Sequence, residues 1–138
     1  MSGETDLAVL LKSMEPELGA DDYVFCLLPD NENVPAETAA WAVISEEEGK
    51  TLILKKELAD RNGIPFETVF KRITLKVHSS LESVGLTAKV SAKLASLGIC
   101  ANVVAGYYHD HIFVRREQAD RALAGLKDLS RERIYRVS

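Results

Sequence analysis

The 138-residue chain holds two cysteines, three histidines, four prolines and one tryptophan, and aromatic residues make up only 7% of it. Cys26 lies inside the apolar run 23–28 and Cys100 inside 99–104. Neither has a CxxC partner, which excludes a disulfide scaffold, a thioredoxin-type pair and a cysteine zinc site; both are expected to be buried thiols. Long apolar runs are missing as well. No segment approaches the roughly 20 residues needed to span a bilayer, and Met-Ser-Gly-Glu-Thr-Asp carries no basic or apolar export signal, so the expectation is a cytoplasmic protein without membrane contact. An excess of base is also absent. The net charge of −4 and pI near 5.4 argue against a protein whose affinity comes from neutralising phosphates.

What the chain does contain is the material of a packed domain: 46% hydrophobic and 28% charged residues with a mean hydropathy of −0.04. Charge is unevenly placed, with twelve acids and two bases in the first fifty residues against nine and fifteen in the rest. Leu7, Leu10, Leu11 and Met14 keep the spacing of one helical face, with Thr5 or Asp6 as a cap and Pro16 as a stop. Residues 22–28 read as a buried strand, followed by a polar loop over 30–38. Residues 40–45 and 51–54 form a hairpin around Glu46-Glu47-Glu48-Gly49-Lys50, and 55–62 a short helix. Over 66–77, Ile73, Leu75 and Val77 alternate with Arg72, Thr74 and Lys76, the period of a half-buried strand. Residues 85–97 form a helix through Leu86, Val90, Leu94 and Leu97, with Ala88, Ala92 and Ala95 keeping it thin enough for close packing on a sheet. A second hairpin, 99–107 with 112–115, precedes a helix over 116–129 and a strand over 134–137.

Residues 51–61 match residues 111–121 position by position, with Glu57/Glu117, Ala59/Ala119, Asp60/Asp120 and Arg61/Arg121 identical. The repeat divides the chain into units 1–65 and 66–138, the second ordered βαββαβ, the ferredoxin-like split βαβ pattern with antiparallel sheet and helices on one face. The fold class is α+β. In the first unit no helix follows the first strand, and the N-terminal helix is expected to take that place.

The stretch His78-Ser-Ser-Leu-Glu-Ser-Val-Gly-Leu-Thr-Ala88, followed by residues 93–114 (Lys-Leu-Ala-Ser-Leu-Gly-Ile-Cys-Ala-Asn-Val-Val-Ala-Gly-Tyr-Tyr-His-Asp-His-Ile-Phe-Val), resembles the small tandem ACT-domain proteins of bacteria. These are related to the regulatory ACT pairs of aspartate kinase and to CASTOR-type sensors. The resemblance spans nearly the whole chain and is most specific over 71–117. It implies two ACT units, a regulatory amino-acid-binding role, a homodimer and no catalysis. By position it carries over Val84, Gly85, Leu86 and Asn102, with Ile44 and Ser45 of the first unit closing the site from across an interface.

The residues themselves suit that role. A loop leading into a helix N-terminus offers unpaired N–H groups and a positive dipole end to a carboxylate. Ser79, Ser80, Ser83 and Thr87 add hydroxyls there, Gly85 allows close backbone approach, and Asn102 has a carbonyl for an α-amino group. Glu82 is the loop's one acid. The competing explanation is local: serines that cap a turn, a glycine that permits it, and an asparagine that satisfies backbone, leaving an interaction scaffold without ligand.

Other chemistries fit less well. His109-Asp110-His111 has metal-ligating side chains, but only His78 remains to complete a set, so a turn-and-edge role is expected and no metal or other cofactor. The serines beside His78 lack a nucleophile elbow. Tyr107, Tyr108 and Phe113 are reminiscent of RNA-recognition strands, yet the basic and apolar residues of that motif are missing, so nucleic acid is not an expected partner.

Overall fold

The computed structural model describes residues 6–29, 35–77 and 85–132. Along the chain come α1 (Leu7–Lys12), β1 (Pro16–Pro29), a 3-10 turn (Pro35–Ala39), β2 (Ala42–Glu46), β3 (Gly49–Lys55) and α2 (Lys56–Arg61). Then follow β4 (Val69–Leu75), α3 (Leu86–Ser96), β5 (Asn102–Ala105), β6 (Asp110–Arg115), a second 3-10 turn (Arg116–Gln118) and α4 (Ala119–Ser130). The strand order is β2-β3-β1-β4-β6-β5. The class is α+β, with antiparallel strands and a ferredoxin-like arrangement of two units.

Two compact units emerge, one of residues 20–71 and one of 1–19 together with 72–138. In the 20–71 unit, β3 is the central partner: Val24 faces Leu54 and Cys26 faces Leu52 across β1/β3, while Val43 faces Leu52 across β2/β3. Alternation sends Val24, Cys26, Leu28, Leu52 and Leu54 into one core with Ala36 and Ala59. Burial raises the Cys26 thiol above its ordinary range, so it is an inert core group. Opposite that core, the Phe25 and Phe70 rings meet at a tilt of 56° with centroids 5.0 Å apart. Part of the expected loop is the 3-10 turn Pro35–Ala39, held where Lys50 Nζ meets Glu37 at 2.6 Å.

In the other unit, Ile73 and Leu75 of β4 and Ile112 and Val114 of β6 pack under α1, α3 and α4. Asp6 caps α1, its Oδ1 accepting from the Ala8 and Val9 amides at 3.0 and 3.4 Å. The N-terminal helix does not take the place of a missing helix beside the first strand: Leu10, Leu11 and Met14 are fully buried with α3 and α4, in the core of the 72–138 segment. Pattern alone shows that a helix has an apolar face and not which core receives it.

Further differences are local. β1 begins at Pro16, six residues before the expected strand, because proline is tolerated as the first residue of a strand. Cys100 is exposed rather than buried, since strand β5 starts only at Asn102. Ala88, Ala92 and Ala95 face outward, not toward the sheet. The sequence repeat is reproduced in the backbone: Lys55 enters its helix at φ −60°, ψ 135° and Arg115 at φ −55°, ψ 139°. Ala59 and Ala119 are both buried behind those junctions. The expected strand over 134–137 lies outside the described residues.

If α1 belongs to this core, Leu11→Ala should lower the unfolding free energy by about 2–5 kcal/mol in urea denaturation. A loss below about 0.5 kcal/mol, the range of a surface change, would place the helix outside it.

Candidate functional site

The expected ligand loop joins β4 to α3. Its residues Ser79, Ser80, Ser83 and Val84, with His78 and Glu82, lie outside the described residues. At its end Gly85 adopts φ +104°, a left-handed conformation that side chains disfavour, and a Cβ there would lie 3.1 Å from Leu7 Cδ2 of α1. Gly85 thus has a structural reason for being glycine. Its carbonyl accepts from the Lys89 amide at 2.9 Å, and no side chain among the described residues caps α3. Leu86 is buried at 2% exposure, so it offers a ligand its backbone amide and not its side chain; Thr87 beside it is exposed.

Asn102 opens β5 opposite Phe113, and its Nδ2 donates to the Phe113 carbonyl at 3.4 Å. Gly85, Leu86, Thr87 and Asn102 all belong to the 1–19/72–138 unit. Ile44 and Ser45 belong to the 20–71 unit, on the outermost strand β2, where both are exposed and pair with Thr51 and Lys50.

Two features were not anticipated as sites. The 20–71 unit carries a cavity of about 390 Å³ lined by Ala20, Asp21, Asp22, Lys55, Lys56, Glu57 and Asp60. Its charges are largely matched: Lys56 meets Asp60 at 2.8 Å, Lys55 meets Asp21 at 3.5 Å, and Asp22 meets Lys71 at 3.0 Å. The Asp-Asp and Lys-Lys dipeptides were visible in the sequence, but their pairing depends on β1 running beside β3.

The second feature is on the sheet of the other unit. Because Ile73, Leu75, Ile112 and Val114 turn toward the helices, alternation directs Arg72, Thr74, Lys76 and His111 to the opposite face. Thr74 Oγ1 lies 3.1 Å from His111 Nδ1. Gly106 donates its amide to the His109 carbonyl at 2.9 Å, leaving Tyr107 and Tyr108 as an exposed two-residue turn with ring centroids 5.0 Å apart. A Cβ at 106 would come within 2.8 Å of that carbonyl and 3.4 Å of His111 Nε2, so only glycine lets the turn close against the imidazole. Burial, then the positive charges of Arg72, His109 and Lys76, hold the His111 pKa below its ordinary 6.5. No group of three or more metal-ligating side chains occurs among the described residues.

Family comparison places two ACT domain models in tandem on this chain, over residues 2–71 and 70–128. The chain belongs to the ACT domain family. The two ACT matches meet at β4, the strand in which the two compact units also divide. Among solved structures, a Vibrio cholerae protein described as of unknown function and a possible transport protein is 46% identical. The match covers 92% of this chain and 98% of that one, with a TM-score of 0.80. The ligand-free regulatory subunit of Thermus thermophilus aspartate kinase is 15% identical over 85% of this chain and 97% of its own, TM-score 0.63. An Agrobacterium tumefaciens protein is 14% identical over 83% and 87%, TM-score 0.71. These last two likenesses are of fold. No curated protein matches. No helix among the described residues of this ACT pair is long and apolar enough to cross a membrane.

A histidine whose pKa is lowered by folding favours its neutral form in the native state. Its contribution is complete above the unfolded pKa near 6.5 and is lost as pH falls through that value toward the folded one. Unfolding free energy should therefore decline between pH 7 and 5, and His111→Gln should flatten that decline, as measured by urea titration at each pH. An unchanged slope would mean that other groups set it.

Proposed function

We propose that this ACT pair is a non-catalytic regulatory protein that binds a small amino acid and relays its occupancy to a partner or to its own assembly. The observation that carries this reading is the tandem of ACT domains across the chain. Similar folds in regulatory subunits of aspartate kinases support a regulatory, ligand-binding role. Here the ligand is proposed to be an amino acid, the assembly a homodimer and the setting the cytoplasm. The reading requires no cofactor, metal, nucleic acid or membrane.

In this reading the carboxylate rests on the first backbone amides of α3, at Leu86 and Thr87, where the helix dipole favours negative charge. Ser79, Ser80 and Val84 are proposed as further ligand contacts, and Gly85 sets the helix entry. The Asn102 carbonyl takes the α-amino group while its Nδ2 stays on β5/β6 backbone. Ile44 and Ser45, exposed on the edge strand β2, are further proposed ligand contacts. The sequence repeats 1–65 and 66–138 are the two ACT-like halves of this proposal.

A thermal-shift screen across the common amino acids provides the test. A ligand bound only by the native state at a hundredfold excess over Kd adds about 2.7 kcal/mol, a rise of several degrees in Tm. At least one amino acid should give such a rise, and Asn102→Ala should remove it. Flat curves at millimolar concentration would favour a ligand-free scaffold, and a shift that survives Asn102→Ala would move the site elsewhere.

A further inference from the structure

We propose that the sheet face carrying Arg72, Thr74, Lys76, His109 and His111 is an oxyanion-binding site, taking a carboxylate or a phosphate-type group separately from the α3 loop. Two strands build it. Arg72, Thr74 and Lys76 lie on and just beyond β4; His111 lies on β6, and His109 stands two residues before it. Every titratable group in that set is cationic or becomes so on protonation.

From β1, Glu17 reaches Lys76 Nζ at 3.6 Å, with both side chains well exposed, so screening leaves that pair weak. On β6, Asp110 has the parity of Ile112 and Val114, which face the helices, and so points away from this face. Arg115, at the far end of β6, pairs loosely with Glu117 at 3.9 Å. β5 contributes Asn102 and Val104, neither of them charged. At His111 itself the neighbouring charges that act on the ring are those of Arg72, His109 and Lys76, all of one sign.

Donors are poised as well. The Thr74 hydroxyl sits between the strands at 3.1 Å from His111 Nδ1. Gly106 places no side chain over the Nε2 edge of that ring. His109 Nδ1 is buried and has no hydrogen-bond partner among the described residues. Two imidazoles spaced i, i+2 also suit a metal ion, but Arg72 and Lys76 beside them repel a cation and attract an anion. An anion seated here stabilises imidazolium at His111, so binding takes up a proton and tightens as the pH falls.

The test follows the histidine imidazole resonances by NMR while sulfate, acetate or chloride is added at constant ionic strength. Sulfate keeps its charge between pH 5.5 and 7.5, so any pH dependence of its binding belongs to the protein. His111 should shift saturably with sulfate or acetate and not with chloride; saturation by sulfate identifies a phosphate-type ligand, saturation by acetate a carboxylate. Affinity should be higher at pH 5.5 than at 7.5, and Lys76→Gln, an exposed change that leaves the core intact, should weaken it about threefold, the scale of one partly screened charge. His111→Gln should reduce the pH dependence. Shifts that are identical in all three salts, or binding unaltered by Lys76→Gln, would overturn the proposal. Sulfate saturation at His111 stands whether or not any amino acid gives a thermal shift, which separates this proposal's failure from that of the amino-acid site.

Discussion

The burial of alternate β4 and β6 side chains beneath three helices is the constraint on which the larger unit rests. Ile73, Leu75, Ile112 and Val114 have essentially no exposure, and they share their core with Leu10 and Leu11 of α1, Val90 and Leu94 of α3, and Leu126 of α4. Once these residues face the helices, strand geometry leaves no choice for their neighbours. Arg72, Thr74, Lys76 and His111 must occupy the other face, whatever their charge. The cationic face is thus a consequence of the apolar one.

Close packing in the same unit also accounts for two of its glycines. Docking α1 onto α3 brings Leu7 against Gly85, where a side chain would crowd it and where the backbone is already left-handed. At the β5–β6 turn, Gly106 lets the backbone fold back against His109 and His111. Each glycine marks a place where packing demands close approach. Close approach explains both, and only Gly85 also needs the left-handed backbone, which is why a glycine in such a loop reads as functional from sequence even when packing alone explains it.

Much of the fold was legible along the chain. Alternation over 72–77 identified the strand face, the spacing of apolar residues on one face located α3, and the match of 51–61 with 111–121 marked two segments whose helix entries have nearly equal dihedrals. The ACT resemblance rested on residues 78–114 and agrees with the family to which the chain belongs. The candidate site was less legible. Leu86 is apolar at a helix start, and nothing local distinguishes a ligand-facing leucine from a core one; its burial depends on α1 arriving from far away in sequence. The paired charges of the 20–71 cavity were visible as dipeptides, but only strand pairing made them neighbours.

By itself the sequence determined the kinds of element, their order, the apolar face of each and the existence of a repeat, because these follow from local periodicity and from turn chemistry written in consecutive residues. Only the tertiary structure decided which core α1 joins, that residues 20–71 form one compact unit between two segments of the other, and which charges meet across strands. The physical reason is the range of the forces. Propensity and capping act over a few residues, whereas burial sums over whatever surfaces the chain brings together, and Leu11 and Leu126 are buried in one core though more than a hundred positions apart.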